Sequence, residues 1–214
     1  VNPDRATDIA FYCGAPGSGK SFEIHAQLAR RKPGRLIVVD PDGEYPEAGV
    51  LHSQLPDAIR ATCYSTFRTR FRASHVREIA ERQFDVLCQT VRWHVDPQPG
   101  QQRPPAVAGV VFVVDELAEY VGSSFRESPE SWQWLIKRGR KYGVSLLAAS
   151  QRPQHIDKTL YDLCSTLRTG RINGGRTQAI LADALDVPTA DVRALTGHQF
   201  IQRDKNTGKL TRGG

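Results

Sequence analysis

Between Gly14 and Ser21 the chain reads Gly-Ala-Pro-Gly-Ser-Gly-Lys-Ser, which satisfies the phosphate-loop pattern G-x-x-x-x-G-K-[ST] at every fixed position. No other stretch constrains the fold as strongly. The pattern works only where a strand delivers the backbone into a tight turn and a helix carries it away. Glycines let that turn curl until its N–H groups point inward at an anion. Lys20 brings a point charge for the β and γ oxygens of a nucleotide, and Ser21 brings a hydroxyl for Mg²⁺. The positive end of the helix dipole beginning near Lys20 favours the same anion. Both flanks have the required character: residues 8–14 are an apolar run of strand length, and Phe22 to Arg30 read as helix. A glycine-rich loop that binds nothing would need neither flank. The expected nucleotide-binding residues are therefore Gly14, Ala15, Pro16, Gly17, Ser18, Gly19, Lys20, Ser21 and Phe22, with ATP and Mg²⁺ as the cofactors.

The remainder alternates strand and helix signals. The first helix ends in Arg30-Arg31-Lys32, cations suited to a helix C-terminus, and Pro33-Gly34 stops it. Leu36-Ile-Val-Val-Asp40 is a continuous apolar run of the kind found in a parallel strand covered on both faces. Residues 109–115 and 144–150 repeat that character, and 166–173 form a more polar run expected nearer an edge. Residues 61–65 read as a further strand. Val76, Ile79, Ala80, Phe84, Leu87 and Val91 recur at helical spacing and predict an amphipathic helix whose aromatic residue is core. A helix starts near Ser128-Pro129, with Ser as cap and Pro at the first position. Residues 96–105 read as a loop, and Asn206-Thr-Gly208 marks a closing hairpin. The expected fold class is α/β: a RecA-like P-loop core with a mostly parallel five-stranded sheet flanked by helices, followed by a C-terminal β-hairpin. At 214 residues, 1–214 has the length of one domain.

Composition narrows the function classes. No apolar run approaches the roughly 20 residues of a membrane span. The 4 cysteines lie far apart and form no C-x-x-C pair, which points to reduced thiols rather than to disulfides or a structural metal. A net charge of +6 suits a polyanionic partner without demanding one. Arg68-Thr-Arg-Phe-Arg72 alternates cations with an aromatic, a composition equally suited to a nucleic-acid backbone and to a solvated basic loop.

Three acidic or polar strand ends carry the candidate chemistry. Asp40-Pro-Asp-Gly-Glu-Tyr45 leaves the second strand where open α/β sheets bind ligands, although Pro-Asp-Gly is also ordinary turn chemistry. The run ending in Asp115-Glu116 would hold Mg²⁺ through Asp115 and accept a proton from the attacking water at Glu116. Gln151, closing residues 144–150, could sense the γ-phosphate through its amide.

Two segments resemble one family. A hydrophobic strand ending in D-P-x-G-E-Y is similar to the second core strand of the HerA/FtsK-type ATPases that pump DNA. The run from Arg138 to Pro153, Arg-Gly-Arg-Lys-Tyr-Gly-Val-Ser-Leu-Leu-Ala-Ala-Ser-Gln-Arg-Pro, closely resembles the corresponding strip of that group. The resemblance extends from about residue 8 to 203. It implies ATP hydrolysis at the subunit boundaries of a homo-oligomeric ring, by resemblance a hexamer. Catalysis would combine Lys20, Glu116 and Gln151 with an arginine from a neighbour, Arg140 first and Arg138 second, and the metal would sit on Ser21 and Asp115.

A motor core without accessory modules looks most like the small genome-packaging ATPases of membrane-containing, tectivirus-like phages. That likeness implies double-stranded DNA and a capsid-vertex or portal-like protein as partners, and the host cytoplasm or the virion as location. Within the group, the alternatives are a Zot-like filamentous-phage assembly ATPase and a cellular HerA-like DNA translocase. From other classes, a small-molecule kinase also uses a phosphate loop, and a nucleotide-gated scaffold would keep the loop without turnover.

Overall fold

The computed structural model describes residues 7–97, 109–122 and 124–214. The expected loop over residues 96–105 therefore lies, from residue 98 onward, outside the described residues. Among the described residues the chain forms β1 (Ile9–Cys13), α1 (Lys20–Arg31), β2 (Arg35–Val39), β3 (Val50–His52), α2 (Leu55–Arg60), β4 (Phe67–Phe71), α3 (Arg77–Val95) and β5 (Val110–Val114). It continues through α4 (Glu130–Arg138), β6 (Val144–Ser150), α5 (Lys158–Leu163), β7 (Thr166–Gly170), α6 (Gly175–Leu185), α7 (Thr189–Arg193), β8 (Phe200–Asp204) and β9 (Leu210–Gly213).

One sheet runs in the order β3-β4-β2-β5-β6-β1-β7-β8-β9. Strands β1 to β7 are mutually parallel, and β8 and β9 add an antiparallel hairpin on β7. The five expected strands form the centre, β2-β5-β6-β1-β7, and the expected hairpin extends one edge. The other edge is larger than expected, because β4 and β3 add to it. Strand β7 is not at an edge: β8 covers it in antiparallel register, with Thr166 opposite Asp204.

Two local expectations change for physical reasons. Residues 61–63 form a short 3₁₀ turn, and the strand lies later, over Phe67-Arg-Thr-Arg-Phe71. That segment alternates with period two: Phe67, Thr69 and Phe71 are buried, while Arg68 and Arg70 point the other way. Its cations are tied to the chain itself. Arg70 pairs with Asp40 at 2.9 Å, and Arg68 donates to the Glu47 carbonyl at 3.0 Å. Helix α4 begins one position after the expected start, with Pro129 at the cap and no side-chain capping bond.

The two faces of the sheet are covered unequally. On one, α3 to α7 bury Phe11, Ile37, Phe112, Leu146 and Leu167, and Phe84 stacks against Phe112, Tyr120 and Trp132. On the other, α1 lays Ile24 and Leu28 over Tyr12, Leu36, Val38 and Leu147, with Tyr45 and Ala48 extending the same layer. Among the described residues no helix is long and apolar enough to cross a membrane.

This topology positions the site. Strands β5 and β6 are inserted between β2 and β1, and the carboxyl ends of β6 and β7 flank the loop that follows β1. Open α/β sheets bind ligands at such a reversal of strand order.

Candidate nucleotide site

The phosphate loop leaves β1 at Gly14 and is clamped from both sides. The Gly14 N–H donates to the Ser150 carbonyl at 3.3 Å, and the Ala15 N–H donates to the Arg171 carbonyl at 2.8 Å. A Cβ at Gly14 would stand 2.3 Å from the Ser18 hydroxyl oxygen, so only glycine lets the loop close on itself there. Gly19 caps α1 at φ 88°, in the left-handed region, and offers no side-chain bond to the first helical N–H groups. Those donors therefore face outward with the positive end of the helix dipole. The Ser18 hydroxyl is buried without a hydrogen-bond partner. Lys20 is buried and donates to the carbonyls of Gly14 at 2.9 Å and Ala15 at 3.3 Å. Free helix donors, an unspent hydroxyl and a cation resting on neutral carbonyls form a cradle for an anion.

Facing the loop is an acidic rim built from two strand ends. Asp115, directly after β5, is buried, and its carboxyl is pushed up to about 7 by burial first and then by the charges of Glu116 and Glu44. A carboxylate held in that environment without a cation is poorly compensated. Glu116 follows at φ 48°, an uncommon left-handed conformation for a residue with a side chain. Its Oε2 accepts from the Gln151 backbone N–H at 3.1 Å, and burial is the main cause raising its pKa. The ends of β5 and β6 are thus tied together across the site.

The third element is the turn after β2. Asp40 is fully buried and accepts from the Glu44 N–H at 2.8 Å, the Tyr45 N–H at 3.3 Å and Arg70 at 2.9 Å. That pins the turn so that Glu44 reaches the phosphate loop. There the Ser21 hydroxyl donates to Glu44 Oε2 at 2.6 Å.

The structure therefore brings Gly14 to Ser21, Asp115, Glu116 and Gln151 to one rim. Phe22 is on the first turn of α1 and is 75% exposed. Arg138 and Arg140 do not join them. Arg138 ends α4, and Arg140 lies in the turn Gly139–Tyr142 that feeds the amino end of β6. The residues of β6 separate them from the rim by roughly 20 Å at about 3.3 Å per residue. Both side chains are exposed.

Three participants had no individual role in the sequence reading, although Glu44 and Tyr45 belong to the candidate turn 40–45. Glu44 could be read only as part of an acidic turn, since its contact with Ser21 depends on Asp40 pinning that turn. Tyr45 is fully buried in the same turn. Arg171, directly after β7, donates to the Pro16 carbonyl at 3.1 Å. A cation at the carboxyl end of the last parallel strand was the signal available for it.

Ser21 and Asp115 carry hard oxygen atoms of the kind Mg²⁺ takes, and burial beside Glu116 and Glu44 raises the Asp115 pKa, which a cation there would offset. No group of three His, Cys, Asp or Glu side chains among the described residues could cage a metal alone. That fits Mg²⁺, which commonly binds through one or two protein oxygens together with phosphate and water. A surface pocket between α3 and α4, lined by Asp85, Gln89, Arg92 and Trp93, contains none of this chemistry. The nucleotide site is an open rim rather than an enclosed hole.

Comparison with known proteins agrees with the geometry. No family model matches the chain. Protein P9 of Pseudoalteromonas phage PM2 is 32% identical over 183 residues, covering 85% of this chain and 77% of that protein. The DNA translocase FtsK of Corynebacterium glutamicum is 27% identical over 205 residues, which is 82% of this chain but 22% of FtsK. Among solved structures, the genome packaging NTPase B204 of Sulfolobus turreted icosahedral virus 2, in complex with ATP-gammaS, superposes with a TM-score of 0.74. The match covers 98% of each chain at 16% identity, a likeness of fold. Through the strand-ordered phosphate loop, the Asp115–Glu116 strand end and its relation to Protein P9 and FtsK, the chain belongs to the HerA/FtsK superfamily of P-loop ATPases.

Proposed function

We propose that the chain hydrolyses ATP to drive double-stranded DNA into a viral capsid, working as one subunit of a ring, by resemblance a hexamer. One observation carries this reading: the phosphate loop, Asp115–Glu116 and Gln151 leave adjacent parallel strands onto a single rim. The names of its relatives support the direction of the work, a translocase in FtsK and a genome packaging NTPase in B204.

In the proposed reaction, water attacks the γ-phosphorus in line. A new P–O bond forms, the bond to the β-phosphate oxygen breaks, and ADP and inorganic phosphate leave. Glu116 accepts the proton of the attacking water and orients it. Its raised pKa, caused chiefly by burial, makes it a better proton acceptor than a solvated glutamate. Lys20 turns from the loop carbonyls to the phosphate oxygens, and the free N–H groups of the loop and α1 hold the β-phosphate. Mg²⁺, seated on Ser21 and Asp115, would neutralise the charge of the β and γ oxygens. Gln151, bonded to Glu116 through its backbone, places an amide beside the same phosphate. Arg140, with Arg138 second, serves the next subunit's site, because the length of β6 separates each from its own. Arginines acting in this way contribute about 10³–10⁵ in rate. In the packaging role the ring would work in the host cytoplasm or on the virion, against a capsid-vertex or portal-like protein.

The test is ATP turnover by the purified protein with and without duplex DNA. Turnover should rise with DNA, and Glu116→Gln should keep ATP binding while losing about 10²-fold or more in turnover. Phosphate transfer to a nucleoside acceptor, or turnover unchanged in E116Q, would overturn the reading.

A further inference from the structure

Glu44 and Tyr45 have no part in the reaction as derived, yet both face its metal position. The Ser21 hydroxyl, one of the two proposed cation ligands, donates its hydrogen to Glu44 Oε2 at 2.6 Å and keeps its lone pairs for a cation. Glu44 is also close enough to Asp115 to help raise its pKa. Next to it the Tyr45 hydroxyl is fully buried and has no well-formed hydrogen bond, although it lies beside Ser21, Asp115 and Glu44. A buried phenol with only the Ser21 hydroxyl in reach, set against two carboxylates, is under-satisfied, which indicates that something polar belongs between them. The arrangement is not accidental slack, because Asp40 fixes the backbone of both residues.

We infer that Glu44 is a positioning residue for the divalent cation. It receives the Ser21 hydroxyl while no cation is held. By holding the Ser21 hydrogen it aims that hydroxyl's lone pairs, and its carboxylate adds negative charge and acceptor oxygens to the cation's surroundings. The inference rests on the nucleotide-site reading above. It makes cation and nucleotide binding interdependent, because the hydroxyl that donates its hydrogen to Glu44 offers its lone pairs to the same cation that the phosphates would hold.

The alternative with the same geometry is a simple latch, in which Glu44 only withholds Ser21. The two differ in sign. Removing a latch strengthens cation-dependent binding, whereas removing a positioning carboxylate weakens it. Outer-shell partners of metal sites commonly contribute 10–100-fold to metal affinity.

Calorimetric titration of ATPγS in MgCl₂ and in EDTA separates these outcomes for wild type, Glu44→Gln and Glu44→Asp. Glu44 is exposed, so neither change should unfold the chain. We expect E44Q to bind metal-free ATPγS as wild type does, while losing about 10-fold or more of the gain that Mg²⁺ confers. E44D should recover part of that gain. An Mg²⁺ gain in E44Q equal to or larger than that of wild type would overturn the inference and leave the nucleotide site standing. If wild type bound no ATPγS in either buffer, the nucleotide site would fall first and the inference with it.

Discussion

Asp40 shows how one residue can matter to a site it never touches. Its carboxylate is fully buried and saturated by two backbone N–H groups and the Arg70 guanidinium, and that saturation is what allows a charge in the interior. Arg70 is itself largely buried and also donates to the Gly49 carbonyl at 2.9 Å. Replacing Asp40 by Ala would leave a guanidinium and two amide donors without an acceptor. Breaking one side of a buried pair typically costs about 3–5 kcal/mol. We expect Asp40→Ala to lose stability of that order in urea denaturation and to weaken Mg²⁺-dependent nucleotide binding, since the Glu44 turn loses its anchor. A loss below about 1 kcal/mol would mean that the turn is held by its backbone alone.

At the scale of elements, legibility followed the range of the forces involved. Strands β1, β2 and β6 are buried along their whole length and β5 at all but Val111, so continuous apolar runs announced them, and the loop, α1 and Asp115–Glu116 came with their flanks. Strand β4 was hidden by its charges. Phe-Arg-Thr-Arg-Phe alternates as a half-buried strand should, but its second cation, Arg70, is neutralised by Asp40, thirty positions away in the chain, and no local pattern reports that pairing. Strand β3 is too short to carry a period, with only Val50, Leu51 and His52 paired to β4.

Helix α3 adds a buried histidine whose role also depends on a distant strand. His94 Nδ1 stands 2.8 Å from an Arg35 Nη2, and a guanidinium can only donate, so the ring must accept there and stay neutral. Burial, then the Arg35 charge, lowers its pKa from 6.5 to about 4. Because the folded-state value is depressed, the stability contribution is present above 6.5 and is lost as pH falls through about 4. At 1.36 kcal/mol per pH unit, that window is worth up to about 3 kcal/mol. Asp115, with its raised pKa, titrates in the same window with the opposite sign in both proteins, so the readout is a difference. The stability advantage of wild type over His94→Gln in urea denaturation should shrink by about 3 kcal/mol between pH 7 and pH 4.

For the whole molecule, the unequal distribution of chemistry over the sheet has a consequence for assembly. Every residue of the nucleotide rim lies at the carboxyl end of the parallel strands, and the two candidate fingers lie at the amino end of β6. A subunit built this way presents an acceptor site at one end and exposed arginines at the other, which suits a head-to-tail ring rather than a two-fold dimer. Mixing variants tests that arrangement directly. Lys20→Ala lacks a working phosphate loop but keeps its arginines; Arg140→Ala keeps the loop but lacks the first-choice finger. Each alone should be nearly inactive, given the 10³–10⁵ that such arginines contribute elsewhere. In a ring assembled at random from equal amounts of the two, about a quarter of interfaces pair an intact loop with an intact arginine. Turnover should therefore reappear on mixing, toward that fraction of the wild-type rate if interfaces fire independently and below it if they fire in sequence. Were Arg140→Ala to hydrolyse ATP at the wild-type rate alone, Arg138→Ala would take its place in the same mixture. Were both variants fully active as monomers, the catalytic cation would have to come from within the chain, where Arg171, already resting on Pro16, stands nearest the loop.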